Sequence, residues 1–198
     1  MLMKVFPHGT GEGDKPSRYL VRPDYPGRDT APPQVLRGDP AMTRALVDSI
    51  ERRWKFTSGV LSWHPDDKVS EEQEEEVMDA FEQVAFAGLE ADQRNILWVR
   101  HTHAGHHELH FLIPRLELSS GKDFNACPPG WQKDFDVFRD LFNWREGWAR
   151  PDDPARARDE LPKKADLFKA RMARWGKEIR ESDRDRAKEV IHAFLKEK

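Results

Sequence analysis

The densest chemistry in this sequence lies between Arg100 and Phe111, in the run Arg-His-Thr-His-Ala-Gly-His-His-Glu-Leu-His-Phe. Five of the eight histidines fall within ten residues there. Side chains alternate between the faces of a strand, so Glu108 and His110 share one face while Leu109, Phe111 and Ile113 share the other. Ala104-Gly105 marks a turn. With the turn centred there, an antiparallel hairpin sets His101 across from Glu108 and Val99 across from His110. Paired β-carbons lie about 5 Å apart, so His101, Glu108 and His110 fall into one patch. Two imidazoles and a carboxylate suit a divalent ion such as manganese or zinc better than magnesium. Three protein ligands leave room for water or a phosphate oxygen, as a catalytic metal requires. The segment does not spell His-Glu-x-x-His, which argues against a zinc protease. The plainer alternative is a polar hairpin with surface histidines. His103, His106 and His107 lie in or beside the turn and read as solvent-exposed.

Tyrosine is scarce, with two in the chain. Tyr19 follows a glycine-rich loop, His8–Gly13, and has Arg18 and Arg22 beside it. A phenol with a pKa near 10 is a weak nucleophile. Nearby cations, or a phosphate polarised by a metal, make its attack feasible. The alternative is a packing residue. Tyr25, in a proline-flanked loop, is the weaker choice.

The elements that must position these residues are legible as patterns. Met1–Phe6 and Gln34–Arg37 read as short strands. Pro16 suits the first turn of a short helix carrying Tyr19 and Leu20. Asp39-Pro40 is an N-cap followed by proline, opening a helix to about Arg53 with Met42, Leu46 and Ile50 inward. Phe56–Trp63 alternates as a strand. Ser70-x-x-Gln73 is a capping box opening a helix that buries Val77, Phe81 and Val84 and stops near Gly88. Asn95–His101 and His107–Leu116 form the hairpin. Phe135, Phe138 and Phe142 mark a further helix. The order predicts an α+β domain, a mostly antiparallel sheet covered by helices. Residues 1–150 are expected to form the catalytic domain. Residues 151–198 are expected to be a linker, Pro151–Pro162, and a basic helical extension with Phe168, Met172, Trp175 and Ile179 as its core contacts.

The chain has 198 residues and a net charge of −3, so bulk charge does not by itself indicate a nucleic-acid partner. The charge is uneven, however. Nine acidic residues and one lysine fall between Asp66 and Glu82, which reads as a solvated helix face. From Lys163 to Lys198, twelve basic residues face seven acidic ones. A single cysteine, Cys127, rules out a disulfide framework within one chain. No apolar run is long enough to span a membrane. A soluble, cytoplasmic protein is expected, with no membrane insertion.

Several motifs in order resemble one family. They are Val35-Leu36-Arg37-Gly38-Asp39-Pro40, Thr57-Ser58-Gly59-Val60-Leu61-Ser62, Gly88-Leu89-Glu90, Asn95-Ile96-Leu97-Trp98-Val99, Glu108-Leu109-His110-Phe111-Leu112-Ile113-Pro114 and Leu116-Glu117-Leu118. Together they resemble the mobilisation relaxases of colicin plasmids, within the HUH endonuclease superfamily. The likeness covers about residues 1–120 well and the rest loosely. It implies a small antiparallel sheet flanked by helices, with Tyr19 as the nicking tyrosine. It also implies a divalent metal, manganese or magnesium, held by His101, Glu108 and His110. That branch is named for His, Glu and Asn ligands, so His110 stands where it has Asn. His103 replaces an aspartate that the family tends to carry. Ser58 falls in a motif tied to DNA contact. Arg18, Arg22 and Arg115 are candidates for the DNA backbone, and Trp131, Trp144 and Trp148 read first as core residues, then as base-stacking ones.

The activity implied is strand-specific nicking of single-stranded DNA at a plasmid origin of transfer, through a 5′-phosphotyrosine. Relaxosome accessory proteins and a coupling protein are the implied partners, and the chain reads as the catalytic part of a longer protein. Two alternatives stay open: a rolling-circle replication initiator, and a non-catalytic DNA- or metal-binding module.

Overall fold

The computed structural model describes residues 1–150, 152 and 153, all within the first of two compact units, Met1–Ala157. The expected linker beyond Pro151 and the basic helix with Phe168, Met172, Trp175 and Ile179 lie outside the described residues. Five strands form one sheet: β1 (Leu2–Val5), β2 (Gln34–Arg37), β3 (Phe56–Ser62), β4 (Leu97–His101) and β5 (Glu108–Pro114). Their order is β1-β3-β5-β4-β2 and every pair is antiparallel. Four helices complete the unit: α1 (Asp14–Val21), α2 (Pro40–Asp48), α3 (Glu71–Ala85) and α4 (Gln132–Glu146). The architecture is the α+β arrangement expected. Among the described residues no helix is long and apolar enough to cross a membrane.

The register assigns every strand residue to a side. On one side Leu109, Phe111 and Ile113 of β5 join Leu61 and Trp98, all buried. Val77, Met78 and Phe81 of α3 and Phe135, Phe138 and Phe142 of α4 close over them into the main core. On the other side Leu97, Val99 and Leu112 pack with Leu20 of α1 in a smaller cluster. The metal-patch residues share this second side because His110 pairs with Val99, and Glu108 with His101. That is the register the turn position predicts.

Helix α3 opens on the expected capping box, Ser70 with Gln73. Helix α2 opens on Asp39, whose carboxylate accepts from the Met42 amide at 2.6 Å. Two expectations about α2 fail. It ends at Asp48 rather than near Arg53, and its buried face is Thr43 and Val47, while Met42 is 56% exposed. Thr43 can face inward because its hydroxyl donates to Asn95 Oδ1 at 2.8 Å. Ile50 is still buried, past the helix end, as its amide turns back to the Val47 carbonyl.

Helix α1 lies close against α2. The Gly13 amide donates to Asp48 Oδ1 at 2.7 Å. A β-carbon at Gly13 would meet the Arg44 carbonyl oxygen at 2.9 Å and Val47 Cβ at 3.0 Å. Glycine is what lets the helix carrying Tyr19 approach this near.

Candidate active site

The central strand β5 supplies the floor. Glu108 sits between Ser62 of β3 and His101 of β4, and His110 between Val60 and Val99. Gly105 makes the bend of the hairpin loop at φ +79°, with its amide donating to the Thr102 carbonyl at 3.1 Å. One donor atom from each of His101, Glu108 and His110 lies within 4.8 Å of the others. That spacing and donor set fit a divalent ion.

Protonation favours the same role. Burial and the neighbouring His110 push His101 down to about 4, so its imidazole is neutral at pH 7. Its Nε2–H donates to the Leu20 carbonyl at 2.8 Å, and its Nδ1 accepts from Arg28 at 3.3 Å. Burial opposes ionisation of Glu108, but hydrogen bonds and charge from His110 and His106 outweigh it and hold the carboxyl at about 2. His110 Nε2 donates to Glu108 Oε2 at 3.3 Å, and His106 Nε2 to Oε1 at 3.0 Å.

Tyr19 stands over this patch on the C-terminal half of α1. Its ring is 42% exposed, with its centroid 6.5 Å from that of His101 and 5.7 Å from that of Tyr25, both edge-on. Burial and the adjacent Tyr25 hold the phenol above its ordinary value, with Arg28 pulling the other way. In the free protein the Tyr19 side chain is therefore a protonated phenol.

The other expected residues are spread more widely. Arg18 is open to solvent, its side chain 70% exposed and 3.6 Å from Asp14. Arg22 is half-buried, 5.4 Å from the Tyr25 ring, and paired with Asp24 at 3.7 Å. Ser58 lies on the ligand side of β3, paired with Leu112 and half-buried. Arg115 sits beyond the far end of β5, buried and bound to Asp123 at 2.7 Å. This guanidinium, expected to contact the DNA backbone, is already paired with a carboxylate. Trp148 is buried and Trp131 half-buried, but Trp144 is 80% exposed, against the core role expected for it.

The turn histidines also depart from expectation. His106 braces Glu108, and His107 turns to the opposite side, with Nε2 2.5 Å from Glu74 Oε1. Glu74 is the one member of the acidic run in α3 that is buried with the core, at 2% exposure, and Arg100 NH1 reaches its second oxygen at 2.8 Å.

Arg28 escapes sequence reasoning altogether. Its guanidinium is fully buried and donates through NH1 to the carbonyls of Tyr19 (2.7 Å) and Arg22 (2.9 Å). No local pattern marks it, since it comes from an irregular proline-rich loop.

Comparison with known proteins places this geometry. Residues 41–143 match the family model described as "Relaxase: MobA/VirD2-like, nuclease domain". "Cryptic plasmid protein C" of Neisseria gonorrhoeae is 39% identical over 170 residues, covering 84% of this chain and 80% of that protein. "DNA relaxase MbeA" of Escherichia coli is 34% identical over 168 residues, covering 82% of this chain but 32% of the relaxase, so the chain spans about a third of that relative. No solved structure matches. The chain belongs to the MobA/VirD2-like relaxase nuclease family and is a plasmid relaxase.

Proposed function

We propose that this chain nicks single-stranded DNA at a plasmid origin of transfer, with Tyr19 as the nucleophile and His101, Glu108 and His110 as ligands of a divalent metal, manganese or magnesium. The observation that carries the reading is the Tyr19 ring held 6.5 Å from the His101 ring, above the cluster. Tyr19 Oη forms a bond to phosphorus while the bond from phosphorus to the 3′ oxygen breaks. The phenol loses its proton and the 3′ oxygen gains one, leaving a 5′-phosphotyrosine and a free 3′-hydroxyl. The ester exchange conserves bond energy, so the reverse attack can reseal the strand. A metal bound by the three ligands would withdraw charge from the non-bridging oxygens.

The ligand side of the sheet offers a path for the strand. Ser58 and Ser62 of β3 share that side with Leu2 and Lys4 of β1, which are both exposed. Arg18 extends the positive edge from α1. A duplex would hold its phosphates away from Tyr19, so the substrate is single-stranded or extruded. The reading also places the protein in the bacterial cytoplasm, working with relaxosome accessory proteins and a coupling protein.

The test is a labelled single-stranded oligonucleotide spanning the transfer origin, incubated with Mn²⁺. A covalent protein–DNA adduct is expected, absent in Tyr19→Phe and in chelator. An adduct that survives in Tyr19→Phe moves the nucleophile elsewhere, with Tyr25 next in line. No adduct from the wild type leaves a binding module.

A further inference from the structure

Arg28 is a buried cation with no described carboxylate in ion-pair contact, and Glu108 acts on it only at longer range. Its side chain is 1% exposed. Every described carboxylate lies beyond ion-pair distance of it, although arginines elsewhere in the unit, such as Arg37, Arg100 and Arg115, each have one within 3 Å. Its Nε is buried with no hydrogen-bond partner among the described residues. Burying a guanidinium in this way is costly unless an opposite charge arrives.

Its surroundings say where that charge would arrive. NH1 fastens the C-terminal end of α1 through the Tyr19 and Arg22 carbonyls. NH2 donates to His101 Nδ1 at 3.3 Å. The guanidinium carbon lies 5.1 Å from the centroid of the Tyr19 ring and 4.8 Å from that of Tyr25. Arg28 thus touches the nucleophile's helix, its ring and a ligand histidine at once. It also takes the one lone pair that His101 has left, because Nε2–H is committed to the Leu20 carbonyl.

We propose that Arg28 is a positioning residue of the nicking site: a guanidinium with no ion-pair partner among the described residues that locks the Tyr19 helix onto His101 and holds a fixed positive charge toward the anion formed where Tyr19 meets phosphate. This inference rests on the nicking reading above. It also gives Arg28 two effects of opposite sign. The charge stabilises the developing anion, as a preorganised donor does. The same charge repels a cation at the ligands and competes with it for His101 Nδ1.

That opposition supplies the test. Mn²⁺ binding is measured by calorimetry, without DNA, on the full chain and on Arg28→Met and Arg28→Lys. Adduct formation is measured on the same oligonucleotide with kcat and KM separated. Arg28→Met is expected to bind Mn²⁺ at least threefold more tightly, yet lose about 10²-fold in kcat with little change in KM. Arg28→Lys, which keeps the charge but not the fork, should recover at least a tenth of the wild-type kcat. Mn²⁺ affinity and kcat falling together would overturn the inference and make Arg28 a structural prop, as would an unchanged kcat. A loss confined to KM would overturn it too, making Arg28 a DNA contact. If Arg28→Met does not fold, Arg28→Lys decides alone: unchanged or tighter Mn²⁺ binding with lower kcat supports the role, and unchanged kcat ends it. A wild type that forms no adduct defeats the nicking reading itself, and the Arg28 role with it. An adduct formed equally by wild type and variants defeats the Arg28 role only.

Discussion

Two polar clusters sit back to back on one hairpin. Arg100 and His107 point to the α3 side of the sheet, and His101 and Glu108, their immediate chain neighbours, point to the α1 side. On the α3 side, Glu74 lies 2.8 Å from Arg100 and 2.5 Å from His107, so a guanidinium answers the buried carboxylate directly. On the α1 side, two imidazoles, one carboxylate and the buried Arg28 share a space in which Arg28 has no ion-pair partner among the described residues. The residue types barely differ. What differs is whether the charges close among themselves. A cluster whose charges pair off braces the fold, whereas one with an unpaired guanidinium suits the proposed metal and phosphate.

Glu108→Gln and Glu74→Gln would sharpen that contrast most. Glu108→Gln removes the anionic member of the proposed ligand set. Mn²⁺ affinity should fall by more than about tenfold and nicking by on the order of 10³. Glu74→Gln should behave the other way round. It leaves Arg100 and His107 without their anion and destabilises the fold by about 3 kcal/mol, yet folded molecules should nick at the wild-type rate. Urea denaturation and single-turnover nicking measure the two effects separately. If Glu74→Gln nicks poorly while folding well, the division between bracing and reacting sides is wrong.

Acid should separate the clusters next. In chelator-treated protein, His101 titrates at about 4, against about 6.5 for an unfolded histidine. Between those values the unfolded chain holds the extra proton. Stability therefore falls as pH drops from about 6.5 toward 4, by at most about 3 kcal/mol. Glu108 works in a lower window. Held at about 2, it contributes stability above its unfolded value, and that contribution disappears as pH falls through about 2. Denaturation midpoints at pH 7, 5.5 and 4.5 should trace the first slope, and His101→Gln should flatten it. A slope that survives in His101→Gln belongs to some other group.

The sequence carried the hairpin well and its surroundings poorly, for a physical reason. Strict alternation and one turn position determine which residues of β4 and β5 face each other, so the His101–Glu108 and Val99–His110 pairs were readable. Alternation says nothing beyond the ladder, which is why His106 and His107 were expected in solvent and are instead engaged by Glu108 and Glu74. Apolarity alone points to the wrong face of α2, because a hydrogen bond decides which side is buried. Thr43 is buried on Asn95 while Met42 faces water. Arg28 was invisible because its meaning comes from His101, 73 residues away in the chain.

The smallest effect bears on how far the reacting side depends on its supports. Asp39 caps α2, and α2 holds the start of α1 through Asp48 and the Gly13 amide. Asp39→Ala should cost about 1 kcal/mol, the usual value of an N-cap, and lower the melting temperature by a few degrees. Because Arg28 ties the other end of α1 to His101, Tyr19 should keep its place and nicking at 25 °C should not change. If nicking fell several-fold in Asp39→Ala while Mn²⁺ binding stayed constant, α2 rather than Arg28 would be aiming the phenol, and the reacting side would owe its geometry to helix packing more than to its own unmatched charge.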